Sequence, residues 1–153
     1  MYKKDDVRII ILVYVNDMTI TCKSKEQYQF VRDELSKHFK LHDLGPTSFL
    51  LSVHIQRNRA EHTLTLSQKQ YIIDVLDRFG LANCSTVTTP LPDGCKLSNA
   101  MSPSSEQESA FMKGIPYKQL IGALMYLTIA TRPDIAYAVG VLARFSANSS
   151  AAH

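Results

Sequence analysis

The feature that most constrains this chain is the apolar run Ile9-Ile10-Ile11-Leu12-Val13-Tyr14-Val15, followed at once by Asn16-Asp17 and then by Met18-Thr19-Ile20-Thr21. β-Branched and aromatic residues dominate both arms, so paired strands accommodate them better than a helix does. Asn-Asp tolerates the backbone angles of a tight turn, which makes residues 9–21 a hairpin with the carboxylate of Asp17 at its tip. A carboxylate fixed by rigid arms is what a metal-ion site for phosphoryl or nucleotidyl transfer asks of its ligands. A buried hairpin with an Asx-type turn reads the same residues without chemistry.

A chain of 153 residues suits one domain or pieces of two, and its composition is that of an ordinary globular protein. Seventeen Lys and Arg against fourteen Asp and Glu leave a formal charge of +3, which permits contact with nucleic acid without demanding it. Cys22, Cys84 and Cys95 form no Cys-x-x-Cys pair, so neither a disulfide framework nor a zinc knuckle is supported. A reducing, intracellular location, cytoplasmic or nuclear, fits them better. His38 and His42 stand one helical turn apart but lack a third ligand. The polar N-terminus has no apolar signal core, Lys3 to Asp6 read as the turn into the first strand, and no apolar run is long enough to span a bilayer. No membrane contact is therefore expected.

Ser24-Lys25-Glu26-Gln27 has the form of a capping box, and Tyr28, Val31, Leu35 and Phe39 follow at helical spacing until Leu44-Gly45-Pro46. Two further strands are read at Phe49–Ile55 and Thr63–Leu66, with a polar turn between them. Ser67-Gln68-Lys69-Gln70 reads as a second capping box, and Ile72, Val75, Leu76 and Phe79 form an apolar stripe that stops at Gly80. Ser, Thr, Pro, Asn and Gly dominate 82–116, which reads as a long mobile loop. Pro116 opens an apolar helix and Pro133 a second one with Ile135, Ala138, Val139, Leu142 and Phe145 as its buried face. Gly122, Ala123, Ala136 and Gly140 are expected to let these two helices approach closely.

Four motifs, in order, resemble copia-type retrotransposon reverse transcriptases. They are Tyr14-Val15-Asn16-Asp17-Met18; the helix followed by Leu44-Gly45; the hairpin ending in Leu66-Ser67-Gln68; and Tyr117-x-x-Leu120-Ile121-Gly122-x-Leu124-x-Tyr126-Leu127 followed by Thr131-Arg132-Pro133-Asp134-Ile135. The resemblance covers about Val7 to His153. It implies that Asn16 and Asp17 occupy the two family positions for metal-binding carboxylates, with Asp17 the metal ligand that is kept and Asn16 a substitution for Asp. Mg²⁺ is the cofactor of the family, and an amide in place of a carboxylate removes the charge that holds a hard dication, so tight binding is not expected here. The resemblance also makes 49–66 a primer-positioning hairpin and places Gly where Ser52 stands, for close backbone packing. It puts Arg57, Arg59, Lys69 and Arg78 near a nucleic-acid backbone, as one positive strip if the hairpin folds over the following helix.

The expected fold is α+β. One small, mostly antiparallel sheet from 8–21, 49–56 and 63–66, backed by helices over 25–39 and 68–79, forms part of a reverse-transcriptase palm, and a helical hairpin spans 116–147. Residues 1–81 are then a partial palm, 82–116 a flexible linker and 117–153 a thumb-like or connection-like segment. A full polymerase would carry a further metal-binding Asp upstream and a ribonuclease H region downstream. The first expectation is thus a truncated reverse transcriptase that is inactive alone. The alternatives are a non-catalytic module that binds nucleic acid or a polymerase, and the C-terminal half of an enzyme completed by another chain. Expected partners are a weakly held RNA or DNA primer–template, the missing polymerase half, or a second copy, since the apolar 9–15 run offers a sticky edge.

Overall fold

The computed structural model describes the backbone of residues 2–4 and 7–153, with side chains from Arg8 onward. Asp5 and Asp6, read as part of a turn, lie outside the described residues, whereas Lys3 and Lys4 belong to a strand. The chain divides into two compact units, 1–47 and 48–153. The division falls inside the segment 1–81 that was expected to be one piece.

In the first unit β1 (Tyr2–Lys4), β2 (Val7–Tyr14) and β3 (Asp17–Thr21) form an antiparallel sheet in the order β1-β2-β3. The cross-strand pairs Ile11↔Ile20 and Val13↔Met18 share one face, and Ile10↔Thr21, Leu12↔Thr19 and Tyr14↔Asp17 share the other. Helix α1 (Lys25–Ser36) starts where the Ser24 hydroxyl accepts a hydrogen bond from the Gln27 backbone N–H; the Gln27 side chain in turn accepts from the Lys23 backbone N–H. Val31 and Ile9 are buried. The helix ends three residues short of the expected 39, and Phe39, read as the last residue of its stripe, is exposed.

Beyond α1 the chain is held by side chains instead of a ladder. Asp43 accepts from the Gly45 backbone N–H at 2.9 Å, an Asx turn that suits the left-handed Gly45, φ +74°. The Tyr28 hydroxyl also hydrogen-bonds Asp43, which holds that carboxyl below the usual carboxylate range and raises the phenol.

The second unit contains β4 (Phe49–Leu50), β5 (Val53–Asn58) and β6 (Thr63–Ser67) as a separate antiparallel sheet. The single sheet expected from the sequence is therefore two sheets. Alternation identifies strands and their faces, but which strand joins which ladder depends on contacts remote in sequence. Helix α2 (Lys69–Arg78) is closed by a 6→1 bond from the Leu81 N–H to the Leu76 carbonyl at 2.7 Å, around the left-handed Gly80. Its expected N-terminal capping box is absent. Gln68 is the cap residue, makes no capping bond and turns inward, fully buried, where its Oε1 accepts from the Thr131 hydroxyl at 2.8 Å.

The segment 82–116, expected as loop, contains a 3₁₀ turn (Asn99–Met101) and helix α3 (Glu106–Lys113). A complete capping box starts α3. Ser105 accepts from the Glu108 backbone N–H, and the Glu108 carboxylate accepts from the backbone N–H groups of Ser104 and Ser105, which depress its pKa. Helix α4 (Tyr117–Ala130), a 3₁₀ turn (Pro133–Ile135) and α5 (Ala136–Ala143) make the expected helical pair, with Ile121, Ala123, Leu127, Ala138, Val139 and Phe145 as its core. Close approach does not occur at the two glycines. A Cβ built on Gly122 or Gly140 would meet nothing within 4 Å.

Two residues, Leu51 and Ser52, join β4 to β5 with φ of +49° and +61°, the pattern of a type I′ turn. The turn, and not close strand packing, is what would favour glycine at 52, because left-handed backbone is costly for residues with a Cβ. The Tyr126 hydroxyl of α4 donates to the Leu51 carbonyl and pins the turn. Replacing Ser52→Gly is expected to stabilise the protein by about 1 kcal/mol, a rise of roughly 2–4 °C in melting temperature. Thermal unfolding followed by circular dichroism checks this, with Ser52→Ala giving no such gain.

Candidate metal tip and nucleic-acid interface

At the tip of the first hairpin the pair Tyr14↔Asp17 closes a two-residue loop, Val15-Asn16. The turn is thus one residue earlier than the expected Asn16-Asp17 pair, and Asp17 is the first residue of β3. The apolar faces set this register: shifting it by one residue would move Met18 and Ile20 away from Val13 and Ile11. Positive φ falls on Val15, at +53°, and not on Asn16, which is the pattern of a type II′ turn. A β-branched residue there is strained. Backbone tolerance read from Asn16 gave no warning of it.

Asp17 shares its face with Tyr14 and, more distantly, with Leu12 and Ile10. Its carboxylate has no hydrogen-bond or ion-pair partner among the described residues, and both Asn16 and Asp17 are exposed. Two-metal chemistry needs carboxylates converging on ions roughly 3.5–4 Å apart. This tip offers one carboxylate and one neutral amide. Among the described residues no group of three or more His, Cys, Asp or Glu could hold a metal ion. The donor set therefore does not fit a two-ion centre.

The basic positions are spread out. Arg57 lies near the outer end of β5, paired with Leu64 on the face that also carries Ile55 and Leu66. Arg59 opens the loop 59–62, whose backbone N–H groups at Ala60 and Glu61 bond the Asn58 side chain. Lys69 begins α2 and Arg78 ends it. Nine residues at ~100° each put these two about half a turn out of phase, so they leave the helix on opposite sides. Helix α2 packs against α4. Arg57 and Arg59 are brought together at the tip, Lys69 stands at the hairpin's other end, and Arg78 joins neither.

The Thr-Arg-Pro-Asp motif is a structural corner. Arg132 forks onto Asp134, with Nε to Oδ1 at 2.9 Å and a terminal nitrogen to Oδ2 at 2.8 Å, and this pairing holds Asp134 below the ordinary carboxylate range. Gln68 and Tyr126 are the residues whose roles the sequence did not suggest. Gln68 looked like part of a cap, and Tyr126 like one of several helix aromatics.

The family model for reverse transcriptase (RNA-dependent DNA polymerase) matches residues 1–93. The chain belongs to the reverse transcriptase family. It is 44% identical, over 95% of its length, to the retrovirus-related Pol polyprotein from transposon TNT 1-94 of Nicotiana tabacum, of which it covers 11%. It is 33% identical over 86% of its length to an uncharacterized mitochondrial protein of Arabidopsis thaliana, covering 51% of that protein. With the putative transposon Ty5-1 protein of Saccharomyces cerevisiae it shares 31% identity over 97% of its length, covering 46%. The chain thus spans about half or less of these relatives. No solved structure matches it. These likenesses make it a copia-type retrotransposon reverse-transcriptase segment. Among the described residues no helix is long and apolar enough to cross a membrane.

Relief of the backbone strain at the tip is measurable. Val15→Gly is expected to raise stability by about 1 kcal/mol, seen as a higher urea midpoint with unchanged slope. A midpoint at or below that of the parent would contradict the strained turn.

Proposed function

We propose that this reverse-transcriptase segment does not synthesise DNA on its own and keeps only a weak, sequence-independent hold on primer–template nucleic acid. The observation that carries the reading is the hairpin tip, where Asp17 is the one charged donor beside the neutral amide of Asn16; the family resemblance reads Asn16 as the replacement of a carboxylate. Longer relatives leave room for a second reading, in which another chain supplies the remaining polymerase elements. The three free cysteines suit a reducing, intracellular compartment.

Primer extension on a homopolymer template with Mg²⁺ or Mn²⁺ is expected to give no product from this chain, nor from Asn16→Asp, because one restored carboxylate still leaves the donor set incomplete. DNA synthesis by the purified chain would overturn the reading; synthesis only after adding a separately made upstream polymerase half would favour the second one.

Nucleic-acid contact rests on Arg57, Arg59 and Lys69, with Arg78 turned to the opposite side of α2 from Lys69. Two or three phosphate contacts give a log–log salt slope of roughly −1.5 to −2.5, with micromolar or weaker affinity. Fluorescence anisotropy of a labelled primer–template across a salt series tests this. The Arg57→Ala/Arg59→Ala/Lys69→Ala variant is expected to flatten the slope, whereas Arg78→Ala leaves it unchanged. Tight binding that survives high salt, or a triple variant identical to the parent, would remove these residues from the interface.

A further inference from the structure

Asp93-Gly94 is the one place in the chain where glycine follows an aspartate. The pair lies in the irregular stretch between α2 and the Asn99–Met101 turn, and both residues are exposed. The Cys95 backbone N–H donates to the Pro92 carbonyl at 3.2 Å, and Gly94 has a φ of +72°, the pattern of a type II turn with Asp93 and Gly94 at its centre.

The turn leaves two reactive groups side by side with nothing holding either. Among the described residues the Asp93 carboxylate has no hydrogen-bond or ion-pair partner, and neither has the Gly94 backbone N–H next to it. A Cβ built on Gly94 would meet nothing within 4 Å, and the glycine itself puts no side chain in the way of a carboxyl approaching its nitrogen. The other described aspartates are restrained. Asp33, Asp43, Asp74 and Asp134 each accept a hydrogen bond, while Asp17 and Asp77 are fixed in β3 and α2. Every one of them precedes a residue with a Cβ.

We propose that Asp93-Gly94 is a site of spontaneous covalent modification, at which the folded chain isomerises Asp93 to isoaspartate. The Gly94 nitrogen forms a bond to Cγ of Asp93, and its proton leaves with the carboxyl hydroxyl as water, closing a succinimide ring. Water then adds to one of the two ring carbonyls. Breaking the bond from nitrogen to Cγ regenerates aspartate. Breaking the bond from nitrogen to the main-chain carbonyl carbon gives isoaspartate, whose backbone runs through Cγ and whose side group is the former main-chain carboxyl. No atoms are gained or lost overall, and water is the only co-reactant. The product lengthens the main chain inside the turn that the Cys95 N–H and the Pro92 carbonyl close. The step is independent of nucleic-acid binding and of any polymerase activity.

The test ages the full chain for weeks at neutral pH and physiological temperature, folded and in guanidinium chloride. Isoaspartate is counted by methyl transfer from S-adenosylmethionine with an isoaspartyl methyltransferase as reagent. Electron-transfer fragmentation of the tryptic peptide 79–96, in which Asp93 is the only aspartate, locates it. It is expected to accumulate at position 93 at least about tenfold faster than at any other aspartate. Because no tertiary contact restrains the turn, the folded chain is expected to react at no less than about a tenth of the rate in denaturant. Asp93→Glu, which would have to close a larger ring, is expected to abolish the signal, and Asp93→Asn, which expels ammonia instead of water, to hasten it. Circular dichroism verifies that both variants are folded, and the peptide map of the parent decides if either is not. Isoaspartate no more abundant at 93 than elsewhere, formed only in denaturant, or undiminished in folded Asp93→Glu would each overturn the proposal.

Discussion

Within the 48–153 unit, the helix α4 is the member on which the other elements depend. Its Tyr126 hydroxyl pins the strained Leu51-Ser52 turn, and the Tyr126 ring stands edge-on to Tyr71 of α2 with centroids 5.2 Å apart. The residue that follows α4, Thr131, bonds the buried Gln68, and Tyr117 at its other end donates to the Leu142 carbonyl at 2.9 Å. Each bond joins a polar group in or beside the core to a residue at least 25 positions away. Leaving such groups unpaired costs about 1–3 kcal/mol each. Gln68 shows the balance, since its Nε2 is buried without a partner among the described residues while its Oε1 is satisfied.

The 1–47 unit is built more sparingly. Among the described residues its buried apolar side chains are Ile9 and Val31, and exposure rises from Ile9 towards the tip of its hairpin. Hydrogen bonds to the Asp43 carboxylate organise the segment after α1, where a chain with a larger core would use packing. The same sparse burial explains how a strained Val15 and an apolar, uncovered β2 coexist. Few tertiary contacts compete with the ladder in setting the register, and the pleat alone fixes which residues face together.

At the tip, electrostatics sets the chemistry. A dication binds oxygen ligands because several negative charges converge on it, and a neutral amide in place of a carboxylate reduces that field even when its oxygen is well placed. The tip presents one carboxylate, Asp17, beside the neutral amide of Asn16. Membership in the reverse transcriptase family and fitness for two-metal chemistry are therefore separate properties of these residues.

The sequence by itself determined the α+β class, the two long hairpins, α1, α2, the α4–α5 pair and the family, because these depend on local alternation, helical spacing and short motifs. It also showed that one carboxylate, Asp17, stands beside the amide Asn16 in the Tyr14–Met18 stretch. The capping box of α3, Ser105 to Glu108, was equally local but lay hidden in a Ser- and Pro-rich stretch. Tertiary structure alone decided that the strands form two sheets, that Gln68 turns inward instead of capping α2, and that positive φ falls on Val15. It also decided that α2 packs on α4 and leaves Arg78 apart from the hairpin tip. Each of these is a competition between partners remote in sequence, which burial and hydrogen-bond satisfaction settle and a linear pattern does not encode.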